Sequence, residues 1–158
     1  MASGIRAYLA RGSEGLETGL LGSINTEVLE FVGVRNVAGD GGGRGITRVS
    51  LEQVLAWDPE VIVTQDPAFG RHAAADPTWR RVAAVRDGRL LTAPAVPFGW
   101  IDAPPGVNRL IGAHWLSARL AGDDDRARLS LEVREFHQLF YGIRLSDADL
   151  GRLLGGGA

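Results

Sequence analysis

The sequence has no cysteine, which excludes a disulfide, a thiolate metal site and a cysteine nucleophile, and leaves the redox compartment open. It has no run of about 18 apolar residues, the length that a membrane-spanning helix needs. No charge of one sign prevails: 17 basic and 19 acidic residues leave a net charge of −2, and the arginines are scattered. A nucleic-acid or anionic-membrane surface needs a concentrated basic face, so neither partner is expected. Catalytic signatures are absent as well. There is no Gly-x-Ser-x-Gly elbow and no His-Glu-x-x-His helix, and the chain holds only three histidines. The glycine-rich run 39–45 (GDGGGRG) lacks the Gly-Lys-Ser/Thr ending of a phosphate loop and precedes no immediate helix; a mobile surface loop is expected there. No internal repeat is found. What remains, 158 residues of which 45% are hydrophobic and 23% charged, suits one globular domain with enough chain to bury a core. Met1-Ala2-Ser3-Gly4 runs straight into a strand-like segment with no signal peptide before it, as expected of a cytoplasmic protein or of a fragment from a longer precursor.

The stretch 49–70 (VSLEQVLAWDPEVIVTQDPAFG) carries the clearest pattern. Ser50 and Gln53 have the spacing of a capping box, so a helix is predicted from Ser50, with Leu51, Val54 and Leu55 on one face. Asp58-Pro59 ends it, because the residue before proline is pushed out of the α region. Val61-Ile62-Val63-Thr64 is a β-branched run without polar alternation, which predicts a central parallel strand covered on both faces. In such sheets ligands lie beyond the carboxyl ends of the strands, so the exit 65–70 is the first place to look for function.

Around it, 5–10 (IRAYLA) reads as a first strand, followed by a glycine-rich connection to Gly22. Ser23 is placed to cap a helix carrying Ile24, Val28, Leu29 and Val32, closed by Gly33. The amides of Ile24, Asn25 and Thr26 would then face either solvent or an anion. Asn36-Val37-Ala38 suits a short edge strand, and 89–92 (RLLT) a further strand after a turn at Asp87-Gly88. A short helix is predicted over 78–82. Asp66, His72 and Asp76 match no metal-ligand spacing and are interrupted by prolines, so a solvated loop or a polar contact from His72 to a ligand is expected instead. The stretch 94–106 (PAVPFGWIDAPPG) is a stiff aromatic loop at a strand exit; Phe98 and Trp100 either face a ligand or plug the core, and Asp102 either caps the next helix or accepts a ligand hydrogen bond. Helices are predicted from Gly106 to Leu120 with His114 packed in its apolar stripe, from Leu129 to Tyr141 with His137 meeting solvent, and from Ser146 to Leu154. The glycines 155–157 read as a disordered tail. The alternation of strands and helices predicts an α/β, three-layer Rossmann-like lobe with a mainly parallel sheet of about four or five strands and helices on both faces.

The segments VSLEQVLAWDPEVIV, DPTWRRVAAVRDGRLLTAP, PFGWIDAPPGVNRLIGAHWL and EVREFHQLFYGIRLSDADL, taken in order, resemble the carboxyl-terminal lobe of the substrate-binding proteins of ABC importers for iron-siderophores, haem, vitamin B12 and, in one branch, molybdate or tungstate. The resemblance runs from Ile5 to Leu154. It implies a single lobe over 1–158, with a short helix and tail over 143–158, lacking the amino-terminal lobe, the linking helix and the secretion or lipoprotein signal of a periplasmic or membrane-anchored protein. It further implies a ligand held at the strand ends, by the turn around Ser23 and Asn25, the exit from Asp66 to Phe69 and the loop from Pro97 to Asp102. Trp100, Phe98, Phe69 and Arg71 would supply aromatic walls and cationic or polar contacts in that reading. Glu52 matches the acidic residue that docks the lobe on permease arginines, although the helix dipole alone also explains an acid there.

The expected function is therefore capture of a ferric siderophore, haem, cobalamin or related metal complex for an ABC permease, with no chemical step, resident metal or cofactor. A molybdate or tungstate oxyanion is the alternative ligand. A cytoplasmic α/β enzyme or regulatory domain is the alternative of another class. The surface that a missing lobe would cover is also a candidate for pairing two copies of the chain.

Overall fold

A computed structural model describes residues 4–39, 45–122 and 126–155. Most of the expected 39–45 loop and of the 155–157 tail lies outside them. Strand β1 (Arg6–Ala10) leads to a short strand β2 (Glu17–Gly19), helix α1 (Glu27–Phe31), strands β3 (Arg35–Asn36) and β4 (Ile46–Arg48), helix α2 (Leu51–Trp57) and strand β5 (Val61–Thr64). Helix α3 (Pro67–Ala75), a 3-10 turn (Trp79–Arg81), helix α4 (Ala83–Arg86) and strand β6 (Leu90–Thr92) follow, then helices α5 (Asn108–Ala121), α6 (Arg126–Tyr141) and α7 (Asp147–Leu154). The main sheet has the order β3-β1-β5-β6 with every pairing parallel. All four residues of β5 are buried, as the unalternated VIVT run requires of a strand covered on both sides.

The two faces of the sheet sort the side chains by strand parity. Ala7, Leu9, Val61, Val63 and Leu91 point into a core closed by α1, α5, α6 and α7, while Tyr8, Ala10 and Ile62 point into a second core closed by α2, α3, the 3-10 turn and α4. This is the three-layer arrangement expected, with the last helices packed on the sheet rather than crossing it. The capping box of α2 forms, with Ser50 Oγ accepting from Gln53 N at 3.2 Å and Gln53 Oε1 accepting from Ser50 N at 2.8 Å. Asp58 ends the helix in the left-handed region. Among the described residues no helix is long and apolar enough to cross a membrane.

Several expectations change. The connection after β1 holds a strand: β2 pairs antiparallel with β4 as a small second sheet. Helix α1 starts four residues after Ser23, because Thr26 N donates to Ser23 O (3.1 Å) in a turn and Ser23 caps nothing. The segment 67–75 is a helix rather than a loop, since Asp66 Oδ1 accepts from Ala68 N (2.8 Å) and Phe69 N (3.3 Å) and Pro67 suits the first helical position. The two helical histidines exchange environments. His114 is exposed, with Nδ1 3.0 Å from Glu132 Oε2, and His137 is buried, with Nδ1 2.8 Å from Val133 O. Each lies at the edge of an apolar stripe, where one residue of helical phase separates core from solvent.

Candidate ligand-binding rim

Because the four strands run parallel, their exits share one edge of the sheet. The register of Ala10 with Thr64 places Arg11, just past β1, beside Gln65, just past β5. The loop 94–106 returns across this edge after β6 and is fastened there by Gln65. Its Oε1 accepts from Ile101 N (2.6 Å) and Asp102 N (2.9 Å), and its Nε2 donates to Ala103 O (3.2 Å). Asp102, 4% exposed, accepts from Arg11 Nε and from Asn25 Nδ2. Burying a carboxylate is costly unless it is paired, and here a guanidinium and a carboxamide from two distant segments serve its two oxygens. Arg11 Nη1 also lies 3.8 Å from Glu17 Oε2. Together Arg11, Glu17, Gln65, Asp66, Asp102 and Ala103 line a cleft of about 300 Å³. A cation, carboxylates and amides in one concavity are hydrogen-bonding groups suited to orienting a polar ligand.

Of the residues singled out from sequence, the structure brings Asn25, Asp66 and Asp102 to this rim. Ser23, two residues before Asn25, is buried against Thr26, whose hydroxyl meets Glu30 Oε1 at 2.8 Å. Glu27 and Glu30 in the first turn of α1 make that helix start acidic, which disfavours an anion there. Phe69 is fully buried, stacked edge-on against Trp79 at 4.9 Å, and Trp100 is fully buried under the loop; both rings complete cores rather than opening on the rim. Phe98 is exposed but lines a separate hollow with Pro104, Pro105, Val107 and Tyr141. Arg71 and His72 stand exposed on α3 and do not line the cleft; Nε2 of His72 is 4.0 Å from Asp76 Oδ2. Asp66 and Asp76 are both spent on capping, and the described residues hold no group of three His, Asp or Glu side chains that could bind a metal ion. Asp102 caps no helix, since α5 begins six residues later.

Sequence reasoning missed Arg11 and reached Gln65 only as part of the exit 65–70. Their signal is positional: each is the first polar residue after an apolar strand. Elsewhere, Glu52 is exposed in the first turn of α2, and hydrogen bonds from its own backbone N–H and then from the Ser50 hydroxyl hold its carboxyl below the ordinary range. A larger hollow, about 440 Å³ between α1, α5 and α6, is lined by none of the strand-exit residues.

No protein-family profile matches the chain. Among individual proteins it is 30% identical over 140 residues to the molybdate-binding protein MolA of Haemophilus influenzae, a match spanning 87% of this chain and 39% of that protein. The structure of MolA bound to molybdate aligns with a TM-score of 0.69 and 27% identity, over 90% of this chain and 43% of the other. A periplasmic vitamin B12 binding protein, BtuF of Vibrio cholerae, shares the fold at a TM-score of 0.60 and 24% identity over 77% of this chain and 46% of its own. An ABC transporter solute binding protein from Sulfurospirillum deleyianum aligns at 33% identity and a TM-score of 0.87 over 96% of this chain and 47% of its own length. The chain thus spans less than half of each of these proteins. On sequence and fold together the chain is similar to a part of the solute-binding proteins of ABC transporters.

Proposed function

We propose that the chain is the carboxyl-terminal lobe of a solute-binding protein that captures a small ligand outside the cytoplasmic membrane and hands it to an ABC permease. The observation that carries this reading is the rim itself. Polar side chains from the exits of β1 and β5 and from the loop after β6 meet in one open cleft, where a second lobe would complete the grip. Glu52 serves as the docking acid: it is exposed, and its lowered carboxyl stays anionic at neutral pH, ready for permease arginines. The cleft takes either a ferric siderophore, haem or cobalamin, or a molybdate or tungstate oxyanion. The 30% identity to a molybdate-binding protein supports the second ligand class. The matched proteins are transport-binding proteins by name, which favours capture over an enzymatic role.

The test is thermal unfolding of the protein, in the length its gene encodes, with a ferric siderophore, haem, cobalamin, molybdate or tungstate. A ligand at about 100 times its dissociation constant adds about 2.7 kcal/mol and a clear rise in Tm. No rise with any of the five contradicts the reading.

A further inference from the structure

Asp102 fastens more separate segments than any other rim residue described above. One carboxylate oxygen takes Arg11 from the β1 exit, the other takes Asn25 from the turn before α1, and its backbone N–H is held by Gln65 from the β5 exit. At 4% exposure it offers a ligand almost no surface. Arg11 keeps more of its side chain open, 19%, and lines the cleft. A guanidinium has five N–H donors in a fixed fork. Asp102 uses Nε and Glu17 lies near Nη1, while no described contact uses Nη2.

We propose that Asp102 is a positioning residue and Arg11 the ligand contact. Asp102 holds the guanidinium so that its remaining donors meet an electron-rich oxygen of the ligand, either an oxo group of an oxyanion or a chelating oxygen of a metal complex. The inference rests on the solute-binding reading and deepens it. A long, flexible arginine would otherwise lose its rotamer freedom at the moment of binding, and the buried carboxylate removes that cost beforehand. The pairing also explains why an acidic residue sits beside the group that must attract ligand oxygen: it lends rigidity to one edge of the fork and leaves the other free.

A double-mutant cycle tests this on the protein in the length its gene encodes. Affinities for molybdate and for a ferric trihydroxamate chelate are measured by calorimetry for wild type, Asp102→Asn, Arg11→Gln and the double variant. Loss of a charge-assisted hydrogen bond predicts that Arg11→Gln weakens binding about 10- to 100-fold. Asp102→Asn is expected to weaken it about 10-fold, and the double variant to bind no more weakly than Arg11→Gln alone, because Asp102 acts only through Arg11. Whichever probe binds identifies the source of the oxygen. Arg11→Lys guards against loss of fold: it keeps a cation beside Asp102 but cannot serve carboxylate and ligand with separate nitrogens, so affinity falls while Tm holds. Wild-type affinity in Asp102→Asn or Arg11→Lys overturns the proposal, as do additive losses in the double variant. If the wild type binds neither these probes nor the other ligands named above, the solute-binding reading fails first and the proposal falls with it.

Discussion

Gly112→Ala is the substitution whose effect the structure specifies most closely. Gly112 is buried in α5 where the helix backbone meets the loop 94–106. A Cβ built there would lie 1.7 Å from the carbonyl oxygen of Trp100 and 2.6 Å from its carbonyl carbon, against 3.4 Å or more for ordinary contact. Neither partner is a flexible side-chain end. The Trp100 ring is fully buried and the residue's backbone N–H donates to Pro94 O at 3.2 Å, so helix and loop must part as bodies. Overpacking of this severity costs about 3 kcal/mol, and alanine's better helix propensity returns about 1 kcal/mol. The net loss of about 2 kcal/mol lowers Tm by about 4–8 °C for a chain of this size. Circular dichroism melts of Gly112→Ala beside Gly151→Ala make the comparison. Gly151 lies in α7 with nothing within 4 Å of its added Cβ, so there the same change is expected to stabilise by about 0.5–1 kcal/mol. A Gly112→Ala protein that melts at or above wild type refutes the packing described for the loop that carries Asp102.

Phe69→Ala empties a fully buried site beside Trp79 and is expected to cost about 3–5 kcal/mol in urea denaturation; a loss below about 1 kcal/mol shows that the ring is not a core element. Ser50→Ala removes the acceptor of Gln53 N and is expected to cost about 1 kcal/mol, read as a lower urea midpoint at unchanged slope. Acid should destabilise the protein. The Asp149 carboxyl is lowered by the Ser146 hydroxyl and then its backbone N–H, and that of Asp76 by the N–H groups of Trp79 and Thr78. A carboxyl with a lower value folded than unfolded contributes stability that is whole above its ordinary value and is lost as pH falls through the lowered one. Tm measured from pH 7 to pH 3 therefore declines on the acid side and declines less in Asp149→Asn; a flat or rising Tm contradicts the assignment.

Features fixed by neighbours in sequence were legible before any coordinates. The Ser50/Gln53 box and the helix start at Ser146 depend on contacts within about four residues, the 61–64 strand shows in its unalternated composition, and all three form. The rim was legible as a place but only partly as a set of residues. Arg11 meets Asp102 across 91 positions, and only the β1–β5 register puts it beside Gln65. Side-chain direction was the other gap: Phe69 and Trp100 turn inward because the cores beneath them have room for an aromatic ring, which no local pattern records. Ser23 shows the reverse error, a good cap residue used by a turn instead.

Ligand-induced chemical-shift changes in the ¹⁵N-labelled protein test the central claim most directly. With a binding metal complex or molybdate, the largest changes are predicted at Arg11, Asn25, Gln65, Asp66 and the 101–103 segment. Changes confined to the helix-lined hollow of α1, α5 and α6, with the strand exits unmoved, would contradict it.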